Sequence, residues 1–271
     1  MACPDPIDMS YETLLIEEVA DGPGIAVLRL NRPEVMNAMN TQMFLDMRNA
    51  FRDLRARESL RCVVLAGSGL KAFSAGGDLK ERNGMSDDTW RRQHDLIEEA
   101  FLAVKDFPLP VIAAVEGHAH GGGLELALMC DFIIASETAR FSLAEVKRGI
   151  MPGGGGIQNL VRAAGMRIAK QYLFTGDRFD ARQAHDWGVV NEVAPAGGAV
   201  EAALAIARRI LLAAPMSIRY VKLAATRGGE VDFHTGYAMD IAAYNVLVSS
   251  SDRLEGVAAF NEKRPANWTN S

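Results

Sequence analysis

Hydrophobic and polar positions along the chain switch between a strand period and a helix period. Two β-rich runs, Thr13 to Val19 and Ile25 to Asn31, are split by the turn sequence Asp21-Gly22-Pro23-Gly24. From Thr41, read as an N-cap, to Arg57 the spacing becomes helical, with Met43, Phe44, Met47, Ala50, Phe51 and Leu54 recurring on one face. Short continuous apolar runs follow. Cys62-Val63-Val64-Leu65-Ala66 ends in Gly67-Ser68-Gly69; Val111 to Val115 comes after a helical stretch at 88–105 and the Pro108/Pro110 break; Phe132 to Ala135 is the third. Such runs predict buried strands, and their alternation with helices predicts an α/β fold with both sheet faces covered.

Beyond about Gly197 the pattern changes. Residues 199–213, 216–226, 234–248 and 252–263 read as helices with no strand between them, separated by Pro215 and Gly228-Gly229. The division expected is a core over 1–196 and a helical C-terminal region over 197–271 suited to oligomer contacts. No internal repeat or low-complexity segment interrupts it.

Composition narrows the class. The 271 residues are 49% hydrophobic and 23% charged, with 25 glycines and 10 prolines, ordinary values for a globular chain. A chain of this size buries about 73% of its unfolded surface, enough for a large core without disulfides or metal. The net charge is -5 and no Lys/Arg run exceeds two residues, which disfavours a nucleic-acid surface. Cys3, Cys62 and Cys130 show no CxxC spacing, so neither a disulfide framework nor a zinc site is expected. The acidic N-terminal run has no basic segment followed by an apolar one, and no stretch approaches about 20 apolar residues. A cytoplasmic location with no membrane contact is the expectation.

Candidate chemistry gathers at three glycine clusters. Ser74-Ala75-Gly76-Gly77-Asp78 reads as a turn, or as a loop in which Gly77 lets a backbone N–H approach a ligand closely. His120-Gly121-Gly122-Gly123-Leu124-Glu125 leads into a helix, so its N–H groups face the positive end of the helix dipole; close packing of strand and helix is the competing explanation. Glu125 is the one charge in an apolar first turn, and burial there predicts a raised pKa. The third cluster, Pro152-Gly153-Gly154-Gly155-Gly156, follows Glu145-Val146-Lys147-Arg148-Gly149, where Glu145 taken alone reads as a solvated charge. It lacks the strand and downstream acid of a dinucleotide fingerprint. No GxSxG, GxxxxGK[ST] or HExxH occurs, so a serine-hydrolase elbow, a P-loop and a zincin site are excluded. His118 and His120 are expected on opposite sides of a strand, as local hydrogen-bond partners rather than metal ligands.

Taken together, these segments resemble the crotonase (enoyl-CoA hydratase/isomerase) family. The resemblance runs through Asn31-Arg32-Pro33-Glu34-Val35-Met36-Asn37-Ala38, Phe73 to Leu79, Gly117 to Leu126, Asp131, Phe141-Ser142-Leu143-Ala144-Glu145, Gly149 to Gly156, Thr175-Gly176-Asp177 and Ala259 to Arg264. It implies a crotonase-like spiral of ββα turns with a helical C-terminal subdomain, assembled as a trimer or a dimer of trimers. It also implies acyl-CoA thioester substrates and an enolate held by two backbone N–H groups, here those of Gly77 and Gly122. The two glutamates of the family's hydratases match Glu125, assigned to activate water, and Glu145, assigned to protonate C2; Gly153 matches the position that helps hold the water. Acyl-CoA contacts carry over to Arg32, Val35, Ala38, Ser74, Ala75, Gly76, Asp78 and Leu79, and to Phe260 and Lys263 reaching a neighbouring subunit. No redox cofactor or metal is implied. Ala144 stands where a proline is often found, and Gly77 where alanine is common in hydratases. Glu81 to Trp90, bordering the acyl pocket, lies in the family's most variable segment. The implied activity is hydration of a 2-enoyl-CoA. The alternatives are isomerisation, dehydration of a specialised hydroxyacyl-CoA, and a non-catalytic role such as RNA binding.

Overall fold

The computed structural model describes residues 10–271; the first nine residues, with Cys3 and the start of the acidic N-terminal run, lie outside the described part. Strands β1 (Leu14–Glu18) and β2 (Ile25–Leu30) pair antiparallel, Leu14 opposite Leu30. Helix α1 (Thr41–Arg55) buries the whole face that its spacing predicts, from Met43 to Leu54. Its N-cap is Asn40, one residue earlier than expected: the Asn40 Oδ1 accepts from the Met43 N–H at 3.0 Å. Thr41 is instead the first helical residue, and its N–H donates to the Glu81 carboxylate at 3.0 Å. That long-range bond satisfies a donor the helix leaves open, a solution no local spacing could reveal.

The chain then winds through three coils of one design, each laying a long strand in one sheet and a three-residue strand in another before running into a helix. The first coil is β3 (Cys62–Gly67), β4 (Ala72–Ser74), then α2 (Leu79–Arg82) and α3 (Asp87–Lys105). The second is β5 (Val111–Val115), β6 (His118–His120) and α4 (Gly122–Met129). The third is β7 (Phe132–Ser136) and β8 (Arg140–Ser142), followed by a 3-10 turn at Glu145–Arg148, α5 (Gly156–Ala164) and α6 (Met166–Thr175). Strand β9 (Phe179–Asp180), helix α7 (Ala181–Asp186) and strand β10 (Glu192–Ala194) complete the two sheets.

Among the described residues the larger sheet has the order β1-β2-β3-β5-β7-β10, parallel except for β1. The smaller has the order β4-β6-β8-β9, parallel except for β9. The continuous apolar runs follow from burial on both faces. Val63 and Leu65 of β3 meet the core around Phe44 and Met47. Val64 and its neighbours Ile112 and Ile134 meet helix α8 (Ala199–Leu211), where Ala199, Ala203 and Ala207 allow the helix to lie close.

Helices α9 (Pro215–Gly228), α10 (Phe233–Val248) and α11 (Ser251–Glu262) form the helical C-terminal part. Leu212, Phe233, Tyr244 and Phe260 are largely exposed there. Cys62 and Cys130 are buried and unpaired. Among the described residues no helix is long and apolar enough to cross a membrane.

Candidate active site

The three glycine clusters, far apart in sequence, meet on one cavity of about 1560 Å³. Its first wall is the turn after β4. Ser74 Oγ accepts from the Gly76 N–H at 3.1 Å and donates to the Asn37 carbonyl at 2.8 Å, which fixes the turn on the 32–38 loop. Its second wall is the start of α4, packed so closely on β4 that a Cβ at Gly123 would collide with the Ser74 carbonyl oxygen. This contact brings two donors together: a Cβ built on Gly122 would lie only 3.7 Å from the Gly77 nitrogen. Neither the Gly77 nor the Gly122 N–H has an acceptor among the described residues. Gly122 is the first residue of its helix, so its N–H has no intrahelical partner. Close packing and free donors, the two explanations of the glycine run, thus both hold at successive residues.

Glu125, one turn into α4, is buried at 5% exposure. Its Oε1 accepts from the Gly154 N–H at 2.7 Å and the Gly156 N–H at 3.0 Å, so the third glycine cluster forms its cradle. The glycines are required sterically, since a Cβ at Gly156 would stand 2.7 Å from the Glu125 Cγ. Burial pushes the Glu125 carboxyl up to about 7, against the pull of the two N–H groups, with repulsion from Glu145 adding to the rise. Glu145 opens the 3-10 turn after β8, and its Oε1 lies 3.0 Å from where a Gly121 Cβ would be. It is not a solvated charge: Oε2 is buried with no partner among the described residues, and burial raises its pKa also. Two carboxyls whose hold on a proton is strengthened by burial and two free N–H donors therefore face one space. That combination suits proton transfer at a carbon next to a carbonyl whose oxygen gains charge.

Of the residues singled out in the sequence, Gly77, Gly122, Glu125, Glu145, Gly153, Ala75, Gly76 and Leu79 line this cavity. Arg32, Val35, Ala38, Ser74 and Asp78 do not. Arg32 donates from one Nη to the Ala38 carbonyl at 2.7 Å and to Asp78 at 3.0 Å, and Asp78 caps α2, so these residues brace the loop behind the glycines. Phe260 and Lys263 lie at the end of α11, outside the cavity, with Phe260 83% exposed.

Among the other residues that line the cavity are Arg82, His94 and His120, to none of which the sequence assigned a place in the site. The His94 Cε1 lies 2.7 Å from where a Gly153 Cβ would be. His118 and His120 share one side of β6, with ring centroids 5.1 Å apart, contrary to the expectation of opposite sides; residues two apart on a strand point the same way. Ser142 Oγ and His120 Nδ1 share a hydrogen bond at 2.9 Å, and burial, then His118, pull the His120 pKa down to about 4. No group of three or more His, Cys, Asp or Glu among the described residues is arranged to hold a metal ion.

The raised Glu125 pKa carries a stability prediction. A carboxyl that holds its proton more tightly when folded contributes stability that is complete below the unfolded value of 4.5 and lost as pH rises through about 7. The shift corresponds to about 3 kcal/mol. In urea unfolding, Glu125→Gln is expected to gain stability relative to the parent between pH 5 and pH 8. A difference independent of pH would show that the carboxyl titrates normally.

The family model described as enoyl-CoA hydratase/isomerase matches residues 21–271. The chain is 36% identical over 96% of its length to a crotonyl-CoA hydratase of Syntrophomonas wolfei, covering 99% of that protein. It is 38% identical over 90% of its length to the mitochondrial methylglutaconyl-CoA hydratase of Mus musculus, covering 79% of it. Among solved structures, an enoyl-CoA hydratase from Bacillus anthracis superposes with a TM-score of 0.93 at 37% identity, over 96% of this chain and 100% of that one. With a spiral of three ββα coils, a helical C-terminal part and a family match across nearly the whole length, this chain belongs to the enoyl-CoA hydratase/isomerase family of the crotonase superfamily.

Proposed function

We propose that the chain is an enoyl-CoA hydratase, adding water syn across a 2-enoyl-CoA to give a 3-hydroxyacyl-CoA. The observation that carries this reading is the pair of carboxyls, buried Glu125 and half-buried Glu145, on the cavity that also holds the free Gly77 and Gly122 N–H groups. The thioester oxygen accepts from those two donors. Glu125 takes a proton from water as it attacks C3, Glu145 delivers a proton to C2, and the N–H of Gly153 helps hold the water. The roles reverse in dehydration. An isomerase needs no bound water and one carboxylate could serve it; two carboxylates facing one space suit water addition better. The proposal includes acyl-CoA contacts from the 32–38 loop and the Ser74–Leu79 segment. It also includes assembly as a trimer or dimer of trimers, through which Phe260 and Lys263 reach a neighbour's CoA. The exposed side chains of the C-terminal helices support that assembly. The relatives' own names cover both an unbranched and a carboxylated acyl group, so ancestry leaves the acyl group open.

The test follows the loss of conjugated-thioester absorbance with crotonyl-CoA. Rapid loss is expected, with kcat/KM falling on the acid side of about pH 7 as Glu125 becomes protonated. Failure to hydrate any 2-enoyl-CoA, with ready conversion of a 3-enoyl-CoA, would replace hydration with isomerisation.

A further inference from the structure

We infer that the acyl end of this pocket is built to grip a free carboxylate, so that the preferred substrate is a 2-enoyl-CoA whose acyl chain ends in a second carboxyl group held by Arg82. The inference rests on the hydratase reading of the same site. Arg82, the last residue of α2, lines the cavity beside Gly77 and Glu125. Its Nε donates to Gln93 Oε1 at 2.8 Å. Gln93 is itself buried at 4% exposure, and its Nε2 donates to Thr41 Oγ1 and Glu81 Oε2, each at 2.8 Å. Trp90 covers one face of the guanidinium, 4.7 Å from the ring centroid. The group is therefore anchored by its Nε and one face, while its two Nη groups have neither a hydrogen-bond acceptor nor an ion-pair partner among the described residues.

Arg82 is half-buried, with its Nη edge left toward the cavity. Burial works against the charged form of Arg82, and Glu81 and Glu125 offset it only through space. The open Nη edge matches a carboxylate, which accepts two parallel N–H bonds from such a fork. Gly77 fits the same picture. A Cβ there would stand 3.2 Å from the Arg82 Cζ and 3.3 and 3.4 Å from its two Nη atoms, tighter than ordinary contacts. An alanine there would press on the guanidinium, so the glycine and the arginine suit each other. The position also argues for the acyl chain over the nucleotide. Arg82 flanks the donors that receive the thioester oxygen, and the phosphates of CoA lie a whole pantetheine arm away from that atom.

The experiment compares kcat/KM for glutaconyl-CoA, a five-carbon 2-enoyl thioester ending in a carboxylate, with that for 5-methylhex-2-enoyl-CoA, whose isopropyl end has the same shape. The parent enzyme is expected to favour the carboxylated substrate at least tenfold. In Arg82→Met that ratio should fall about 10- to 100-fold, the worth of hydrogen bonds to a charged group. Arg82→Lys, which keeps the charge and loses the fork, should fall between. Calorimetric binding of the saturated analogues, glutaryl-CoA and 5-methylhexanoyl-CoA, should show the same ratio. That measurement needs no turnover, so it judges Arg82 even if hydration fails. No preference in the parent, or equal losses on both acyl groups in Arg82→Met, would overturn the inference.

Discussion

Glutamine in place of Glu125 or Glu145 is expected to lower kcat on crotonyl-CoA by about 10²–10⁴-fold, and the double variant to lose little more than either single one. The substitution is nearly isosteric, and at Glu125 the amide oxygen can still accept from the Gly154 and Gly156 N–H groups, so the cradle persists. What disappears is the ability to take or give a proton. At Glu145 the buried Oε2 has no partner among the described residues, so no existing bond is broken by the change. Binding of butyryl-CoA should therefore stay within a few-fold of the parent in both variants while turnover collapses. Multiplicative losses in the double variant would show two independent groups, and undiminished turnover in both singles would remove the carboxyls from the mechanism.

Gly123→Ala is expected to damage stability and turnover together. The methyl group has nowhere to go: it meets the Ser74 carbonyl oxygen head-on, with the Ser74 Cβ 2.9 Å away, and both belong to a buried strand end rather than to a flexible tip. Overpacking of this kind costs about 1–3 kcal/mol. Relief requires α4 and β4 to part, which moves the Gly122 N–H away from that of Gly77. A displaced donor of about 1 Å is enough to lower kcat on the order of 10²-fold. Urea unfolding and the crotonyl-CoA assay measure the two effects separately. A destabilised variant with parental kcat would show that the two donors do not act as a pair.

The long elements were legible because burial imposed a simple pattern on them. Strands β3 and β5 lie between α8 and the Phe44 core, so every position is apolar and the runs stand out. The second sheet was not legible from periodicity, since strands of three residues or fewer carry too little of it. Residue pattern alone marks no element between 156 and 194, where α5, α6 and α7 follow one another with little to separate them. At the site, Glu125 announced itself as a lone charge in an apolar turn. Glu145 looked like a surface residue beside two bases and drew notice only through resemblance. Arg82 gave no local sign at all. Its setting depends on Gln93, eleven residues on, and on a missing methyl at Gly77, five residues back.

The three-coil construction has a consequence for when activity can begin. Gly77 comes from the first coil, Gly122 and Glu125 from the second, and Glu145 and the Gly154 cradle from the third. The reaction centre is thus a seam between layers stacked by non-local parallel pairing, a topology that forms slowly. A chain emerging from the ribosome holds one of the two free N–H groups without its mate, then Glu125 without its cradle, until about residue 156 has been wound into place. On the proposed hydratase reading, turnover therefore requires completed winding. A truncated or stalled chain should be inert toward thioesters rather than partly active, and turnover during refolding should not precede the closing of the last coil.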